Sequence, residues 1–274
     1  MTCEHCGGTG FAIAERDGRE FAEPCACRRN ASVRDGDSLL AACRIPPRYE
    51  ECTLANFAPV TAQHRAALEK AMYFCTGYPH LGSQEGLGLL FSGNNGVGKT
   101  HLAVATLHEL AASKNVRGQF WDFHELMREI KRSFDPETKT TETQVLDPVV
   151  EIDILLLDDL GAWKITDWMN DTLFYILNSR YLARRPTFIT TNFQDVSARE
   201  SAEADHLVRR EYLVDRIGQR LRSRLTEMCL KVPLDGEDFR ERQQAANRNA
   251  VLGTSGHPPE PAPVVPPRRP RFGG

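Results

Sequence analysis

The chain has 274 residues, 41% hydrophobic and 26% charged, enough for one full α/β domain with one or two small appendages. A formal net charge of −3 excludes a global pull towards nucleic acid, so any DNA contact has to come from a local basic face. No stretch approaches the roughly 18 apolar residues that span a bilayer, and Met1-Thr2-Cys3-Glu4-His5-Cys6 has neither a basic nor an apolar signal region, so no membrane association and a cytoplasmic location are expected.

Residues 1–28 read as a metal-held hairpin. Cys3-x-x-Cys6 and Cys25-x-Cys27 flank two short strand-like runs, 11–15 and 19–23, joined by Arg16-Asp17-Gly18, a strong hairpin turn. In a cytosolic chain, close cysteine pairs are metal ligands before they are disulfides. Four thiolates at the open end of a hairpin suit a structural Zn²⁺, whose binding would supply the folding energy of a unit with almost no core. His5 is a substitute ligand, and unliganded or redox thiols are the alternative. Cys43, Cys52, Cys75 and Cys229 lack partner spacing and read as packing residues.

Residues 29–60 are connecting sequence in which Pro46-Pro47 forces an extended path. A helix follows, with apolar positions at Ala67, Leu68, Ala71, Met72 and Cys75. From residue 87 strands and helices alternate. An apolar strand at 87–91 leads through a Gly-rich turn into a helix carrying Leu102, Ala105, Leu107 and Leu110. A strand near 116–121 precedes a helix through Phe123, Leu126, Met127 and Ile130, with Asp122 as its N-cap. The polar stretch 134–147 reads as a surface loop. Strands are expected at 152–157 and 187–191, with a helix over 171–182 between them. This alternation implies a parallel sheet with helices on both faces. Leu213, Ile217, Leu221 and Leu225 recur every four residues and read as a helical lid. A strand-like stretch at 230–234 and a helix from about Glu237 follow. Repeated prolines with Arg268, Arg269 and Arg271 mark a tail expected to be disordered.

Gly93-Asn94-Asn95-Gly96-Val97-Gly98-Lys99-Thr100 fits G-x-x-x-x-G-K-[ST] at every fixed position, between an apolar strand and an amphipathic helix. The glycines let successive N–H groups turn towards phosphate oxygens, and the helix adds the positive end of its dipole. Lys99 is expected on the β and γ phosphates of ATP and the Thr100 hydroxyl on Mg²⁺, with the adjoining His101 counted in the nucleotide-contacting set. The competing reading is a plain Gly-rich turn with an exposed lysine. The buried strand ending in Asp158-Asp159 supplies the second element: Asp158 to hold Mg²⁺ through its water shell, Asp159 to orient the attacking water. Asn192, closing Thr190-Thr191-Asn192, is the candidate sensor beside the γ phosphate.

Together Ile45-Pro46-Pro47-Arg48-Tyr49, Thr53-Leu54-Ala55-Asn56-Phe57, the phosphate loop, Leu157-Asp158-Asp159-Leu160-Gly161 and Arg220-Leu221-Arg222-Ser223-Arg224-Leu225 resemble bacterial DnaC/DnaI-type helicase loaders over roughly residues 43–242. The related IstB-type transposition ATPases share much of this pattern. The resemblance implies an AAA+ ATPase that self-assembles through its ATP interface around single-stranded DNA and binds a replicative hexameric helicase. The Asp158-Asp159 pair, where most AAA+ proteins have Glu second, is usual in this branch; the shorter carboxylate makes a slow basal ATPase the expectation. By position, Arg224 matches the arginine finger that reaches a neighbouring subunit's ATP, Arg240 the second sensor arginine, and Asn56 and Phe57 the adenine-packing residues. Arg216, Arg220 and Arg224, spaced by four, form a stripe whose alternative reading is a solvated basic face; Arg220 and Arg222 are weaker finger candidates.

The resulting partition is a zinc-binding hairpin (1–28), a linker and adenine-side segment (29–60), an AAA+ domain including the helical lid (61–245) and a Pro/Arg-rich tail (246–274). Zinc-containing N-terminal domains in some of these loaders contact the helicase, and a DNA contact is an equal option here. The leading function is ATP-dependent helicase loading. The alternatives are a transposase helper, a small-molecule kinase with a phosphate loop, and a nucleotide switch without turnover.

Overall fold

The computed structural model describes residues 11–16, 19–24, 39–81, 84–135, 137, 141–196, 211–242 and 244. The four cysteines of the expected zinc site, His5 and the expected tail lie outside these residues. The contacts divide the chain into two units, Met1–Glu237 and Asp238–Gly274.

In the first unit, β1 (Phe11–Arg16) and β2 (Arg19–Pro24) form an antiparallel ribbon whose register pairs Phe11 with Pro24 and Arg16 with Arg19; the expected turn residues Asp17 and Gly18 lie outside the described residues. Helix α1 (Ala62–Gly77) starts where Thr61 accepts from the His64 N–H at 3.0 Å. A two-residue ribbon, β3 (His80–Leu81) and β4 (Gln84–Glu85), leads to β5 (Gly88–Gly93). Then come α2 (Lys99–Lys114), β6 (Gly118–Asp122), α3 (Phe123–Arg132), α4 (Glu142–Glu151), β7 (Ile154–Asp158), α5 (Asp167–Leu182), β8 (Thr187–Thr191), α6 (Leu213–Met228) and β9 (Cys229–Leu234). Asp122 caps α3 as expected, accepting from Glu125 N–H at 2.9 Å.

The main sheet has five strands in the order β6-β7-β8-β5-β9, all parallel. Alternation along each strand sends side chains to two cores. Leu89, Phe91, Leu156 and Phe188 join one with α1, α2 and the buried Cys43, Cys52 and Phe57 of the segment before α1. Leu90, Leu155, Leu157 and Ile189 join the other with α3 to α6. A parallel sheet flanked on both faces is the AAA+-like α/β fold expected. Among the described residues no helix is long and apolar enough to cross a membrane.

Four expectations need correction. The stretch 134–147 is not one loop: Thr141 and Gln144 form a capping box that starts α4, and Val145, Leu146 and Val149 bury its apolar face. The leucine-faced helix 213–228 is not a lid. Leu213, Ile217, Leu221 and Leu225 are buried against the sheet, and the strand that follows it is the sheet's edge, paired with β5. Its arginines are not one continuous stripe either, because Gly218 (φ 78°, ψ 162°) breaks α6 between Arg216 and Arg220. In addition, Met72, assigned to the apolar face of α1, is 53% exposed. The four unpaired cysteines, by contrast, are buried packing residues, and burial pushes the Cys75 and Cys229 thiols up to about 12.

Candidate nucleotide site

The parallel sheet brings the C-terminal ends of β5, β7 and β8 to one edge, where ligands bind in open α/β sheets. The loop from Gly93 to Gly98 leaves β5 and enters α2. Two of its glycines are dictated by space. At Gly93 (φ +148°) a Cβ would lie 1.8 Å from the Leu234 carbonyl oxygen, and at Gly98 (φ +92°) it would lie 2.9 Å from the Phe57 ring. Lys99 is buried, and its Nζ donates to the Asn94 carbonyl at 2.5 Å, closing the loop on itself. Asn94 and Asn95 are exposed at the loop's tip, Val97 is buried beneath it, and Asn94 Nδ2 donates to Asp235 Oδ1 at 3.3 Å.

Thr100, in the first turn of α2, donates to Asp158 Oδ1 at 2.8 Å. Thr190 Oγ1 donates to the same oxygen at 2.6 Å and accepts from the Asp159 N–H at 2.9 Å. One hydroxyl of β8 thus holds both aspartates of the β7 end. Burial pushes the Asp158 carboxyl above the usual carboxylate range, the Thr190 and Thr100 hydroxyls pull it back, and neighbouring Asp159 raises it again. An oxygen set of one hydroxyl and one carboxylate, in a place where burial disfavours lone negative charge, fits a hard cation such as Mg²⁺. Asp159 has φ +60°, a conformation costly for a residue with a Cβ, and its Oδ1 accepts from Asn192 Nδ2 at 2.5 Å. The strand pairing β7–β8 therefore brings Asp158, Asp159 and Asn192 together.

Phe57 is buried against Gly98 and makes edge contacts with His64 and His101. His101 also bonds the Thr53 carbonyl through Nε2 at 3.2 Å. Asn56 is committed within its own turn: Oδ1 accepts from Thr53 N–H at 2.8 Å and Nδ2 donates to the Glu51 carbonyl at 2.7 Å. Arg240 belongs to the second unit, where it is exposed and its N–H donates to Asp238 Oδ1 at 2.8 Å.

The arginines of α6 are held in different ways. Arg216 donates to the Gly161 and Ala162 carbonyls, at 2.8 and 3.2 Å, just past the paired aspartates. Arg220 stacks over Phe174 at 3.6 Å, and Arg222 bonds the nearly buried Asp195 at 2.6 Å. Arg224 lies 4.2 Å over the Tyr181 ring and bonds Glu227 at 2.9 Å.

Sequence reasoning missed the bridging role of Thr190. A signal was available: three threonines in Thr187–Thr191, a strand buried at every position, need internal partners. Tyr181 and Glu227 left no such mark, because α5 and α6 meet only in the fold.

A family model described as IstB-like ATP binding protein matches residues 83–247. The uncharacterized protein YqaM of Bacillus subtilis is 26% identical over 213 residues, covering 73% of this chain and 65% of that protein. The replicative helicase loader DnaI of Bacillus subtilis is 30% identical over 157 residues, 57% of this chain and 48% of its own. The chain therefore spans less than two thirds of the length of either relative. A crystal structure of the DnaC helicase loader matches with a TM-score of 0.58 and 32% identity, covering 69% of this chain and 99% of that one.

Proposed function

The chain belongs to the IstB-like ATP-binding family, in its DnaC/DnaI-like AAA+ branch, and from that premise we propose that it is an ATPase that places a hexameric replicative helicase on single-stranded DNA. The observation that carries the ATPase reading is the convergence of Thr100, Asp158, Asp159 and Asn192 beside the Gly93–Thr100 loop.

In this reading the loop N–H groups and Lys99 hold the triphosphate, Lys99 exchanging its bond to the Asn94 carbonyl for phosphate oxygen. Thr100 and Asp158 hold Mg²⁺, which when bound neutralises charge on the transferring phosphoryl group. Asp159, fixed by Asn192 and Thr190, orients the attacking water, and Asn192 serves as the sensor of the γ phosphate. Phe57 lines the adenine side, with Asn56 shaping the turn that carries it and His101 packing behind. Arg224 acts in trans on a neighbouring subunit's nucleotide, and Arg240 serves as the second sensor.

Single-stranded DNA is the proposed track. Two exposed aromatic side chains support this: Trp163, 60% exposed, stacks on His124 at 4.8 Å, and half-exposed Phe134 meets Trp168 edge-on. Exposed Arg128, Lys131, Arg132 and Lys164 flank these rings in sequence. Aromatic faces with nearby cations are what a sequence-tolerant single-strand site uses. For Cys3, Cys6, Cys25 and Cys27 we keep the Zn²⁺ proposal on their spacing, two pairs that bracket in sequence the paired strands Phe11–Arg16 and Arg19–Pro24.

The family description also supports a second reading, an IstB-type transposase helper. A pull-down against the replicative helicase of the same cell, with and without ATP, separates the two. Nucleotide-dependent capture of the helicase is expected; capture of a transposase instead would favour the second.

A further inference from the structure

Arg224, Tyr181 and Glu227 close a ring of contacts across two helices. The Arg224 guanidinium carbon lies 4.2 Å from the centroid of the Tyr181 ring. Its Nη1 donates to Glu227 Oε2 at 2.9 Å, while the Tyr181 hydroxyl donates to the other oxygen, Oε1, at 2.5 Å. Tyr181 comes from α5, and Arg224 and Glu227 from α6. The guanidinium thus has an aromatic face beneath it and a carboxylate at one end, and that carboxylate is itself fixed by the phenol.

Two further facts separate this arrangement from an ordinary surface ion pair. Arg224 Nε is buried and has no hydrogen-bond partner. A long, flexible side chain free to choose would not leave a donor unsatisfied, so the stack and the carboxylate hold it there. Second, the Arg224 side chain keeps 21% of its surface exposed although its Nε is buried, and its partner Glu227 is 54% exposed. Exposed pairs at i,i+3 add little to stability. What the ring does provide is a single orientation for a group that otherwise samples many rotamers.

We propose that Tyr181 and Glu227 are positioning residues for Arg224, holding its guanidinium in one orientation from which its Nη donors meet a neighbouring subunit's nucleotide without reorganisation. Preorganised donors stabilise developing charge better than donors that must first be ordered. This rests on the reading that Arg224 acts in trans.

The test mixes full-length variants. Arg224→Ala keeps its phosphate loop but has no finger, and Lys99→Ala has the reverse defect; their mixture should regain ATPase activity at hybrid interfaces. Adding Glu227→Ala to the Lys99→Ala subunit, the finger donor, should lower that regained activity by up to about 10²-fold, the scale of a misplaced group. Glu227→Gln, which still accepts a bond, should keep most of it. Glu227→Ala placed on the Arg224→Ala subunit should leave the regained activity unchanged, which also shows that the substitution folds. Loss from either side would mark a merely structural residue and overturn the proposal. An undiminished or higher activity from the donor side would overturn it too. No activity in the parent mixture would reject trans action itself, and this proposal with it.

Discussion

Asn192 donates from Nδ2 to Asp159 Oδ1 at 2.5 Å, so the end of β8 sets the direction of the second carboxylate at the end of β7. Asp159 sits at φ +60° and needs such restraint to stay there. Asp159→Asn should therefore retain nucleotide binding, because Lys99, Thr100 and Asp158 are untouched, and should lose turnover by about 10²- to 10⁴-fold, the usual contribution of a positioned proton-transfer group. Nucleotide titration and phosphate release measure the two effects separately. Wild-type turnover in this variant would remove Asp159 from the reaction.

Thr190 is 1% exposed and serves both aspartates, one through its proton and one through its oxygen. Thr190→Val keeps the volume but strands the Asp159 N–H, which should cost about 1–3 kcal/mol in a denaturant titration. Thr190→Ser should recover most of that loss. Equal stability of the valine and serine variants would mean that the bridging bonds contribute nothing.

His64 is 3% exposed with no partner at either ring nitrogen, and burial holds its pKa below the ordinary 6.5, with Asp235 pulling weakly the other way. Between the lowered value and 6.5 the unfolded chain binds a proton that the folded chain does not. This contribution is fully present above 6.5 and is lost as pH falls through that window towards the folded pKa. His101, also lowered by burial, acts in the same direction. Stability measured from about pH 7.5 down to about pH 5.5 should fall, and His64→Phe should flatten part of the fall. An identical slope in His64→Phe would exclude His64 as its source.

For the hairpin, freshly reduced protein should carry about one zinc per chain. Cys25→Ser should release it while leaving ATP binding largely intact, since the phosphate loop lies in a separate part of the chain. Metal analysis without zinc would reject the four-cysteine site.

Most of the sheet was legible because its signals are local. Thr187–Thr191 was bounded to the residue, and the apolar runs ending at Phe91 and Leu157 fall on β5 and β7. The phosphate loop, Asp158 and Asn192 were legible for the same reason: each follows directly from a strand end. One failure depended on partners distant in sequence, and two on local features that the apolar pattern does not mark. A leucine every fourth residue gives α6 an apolar face but does not say whether a sheet or a lid covers it; β9, paired with β5 far upstream, decides that. Helix α4 was hidden because its capping box is polar and its buried residues, Val145, Leu146 and Val149, are few. The arginine stripe failed at a single residue, Gly218, whose positive φ resets the helical phase.

Helicase loading on circular single-stranded DNA tests the central claim most directly, read as unwinding of an annealed strand that the helicase cannot engage alone. The replicative helicase of the same cell should unwind when this protein and ATP are supplied. Lys99→Ala, which removes the ammonium expected on the phosphates, should abolish that loading. Unwinding that is absent with the wild-type protein under every nucleotide condition, or equally strong with Lys99→Ala, would contradict ATP-dependent loading as the function of this chain.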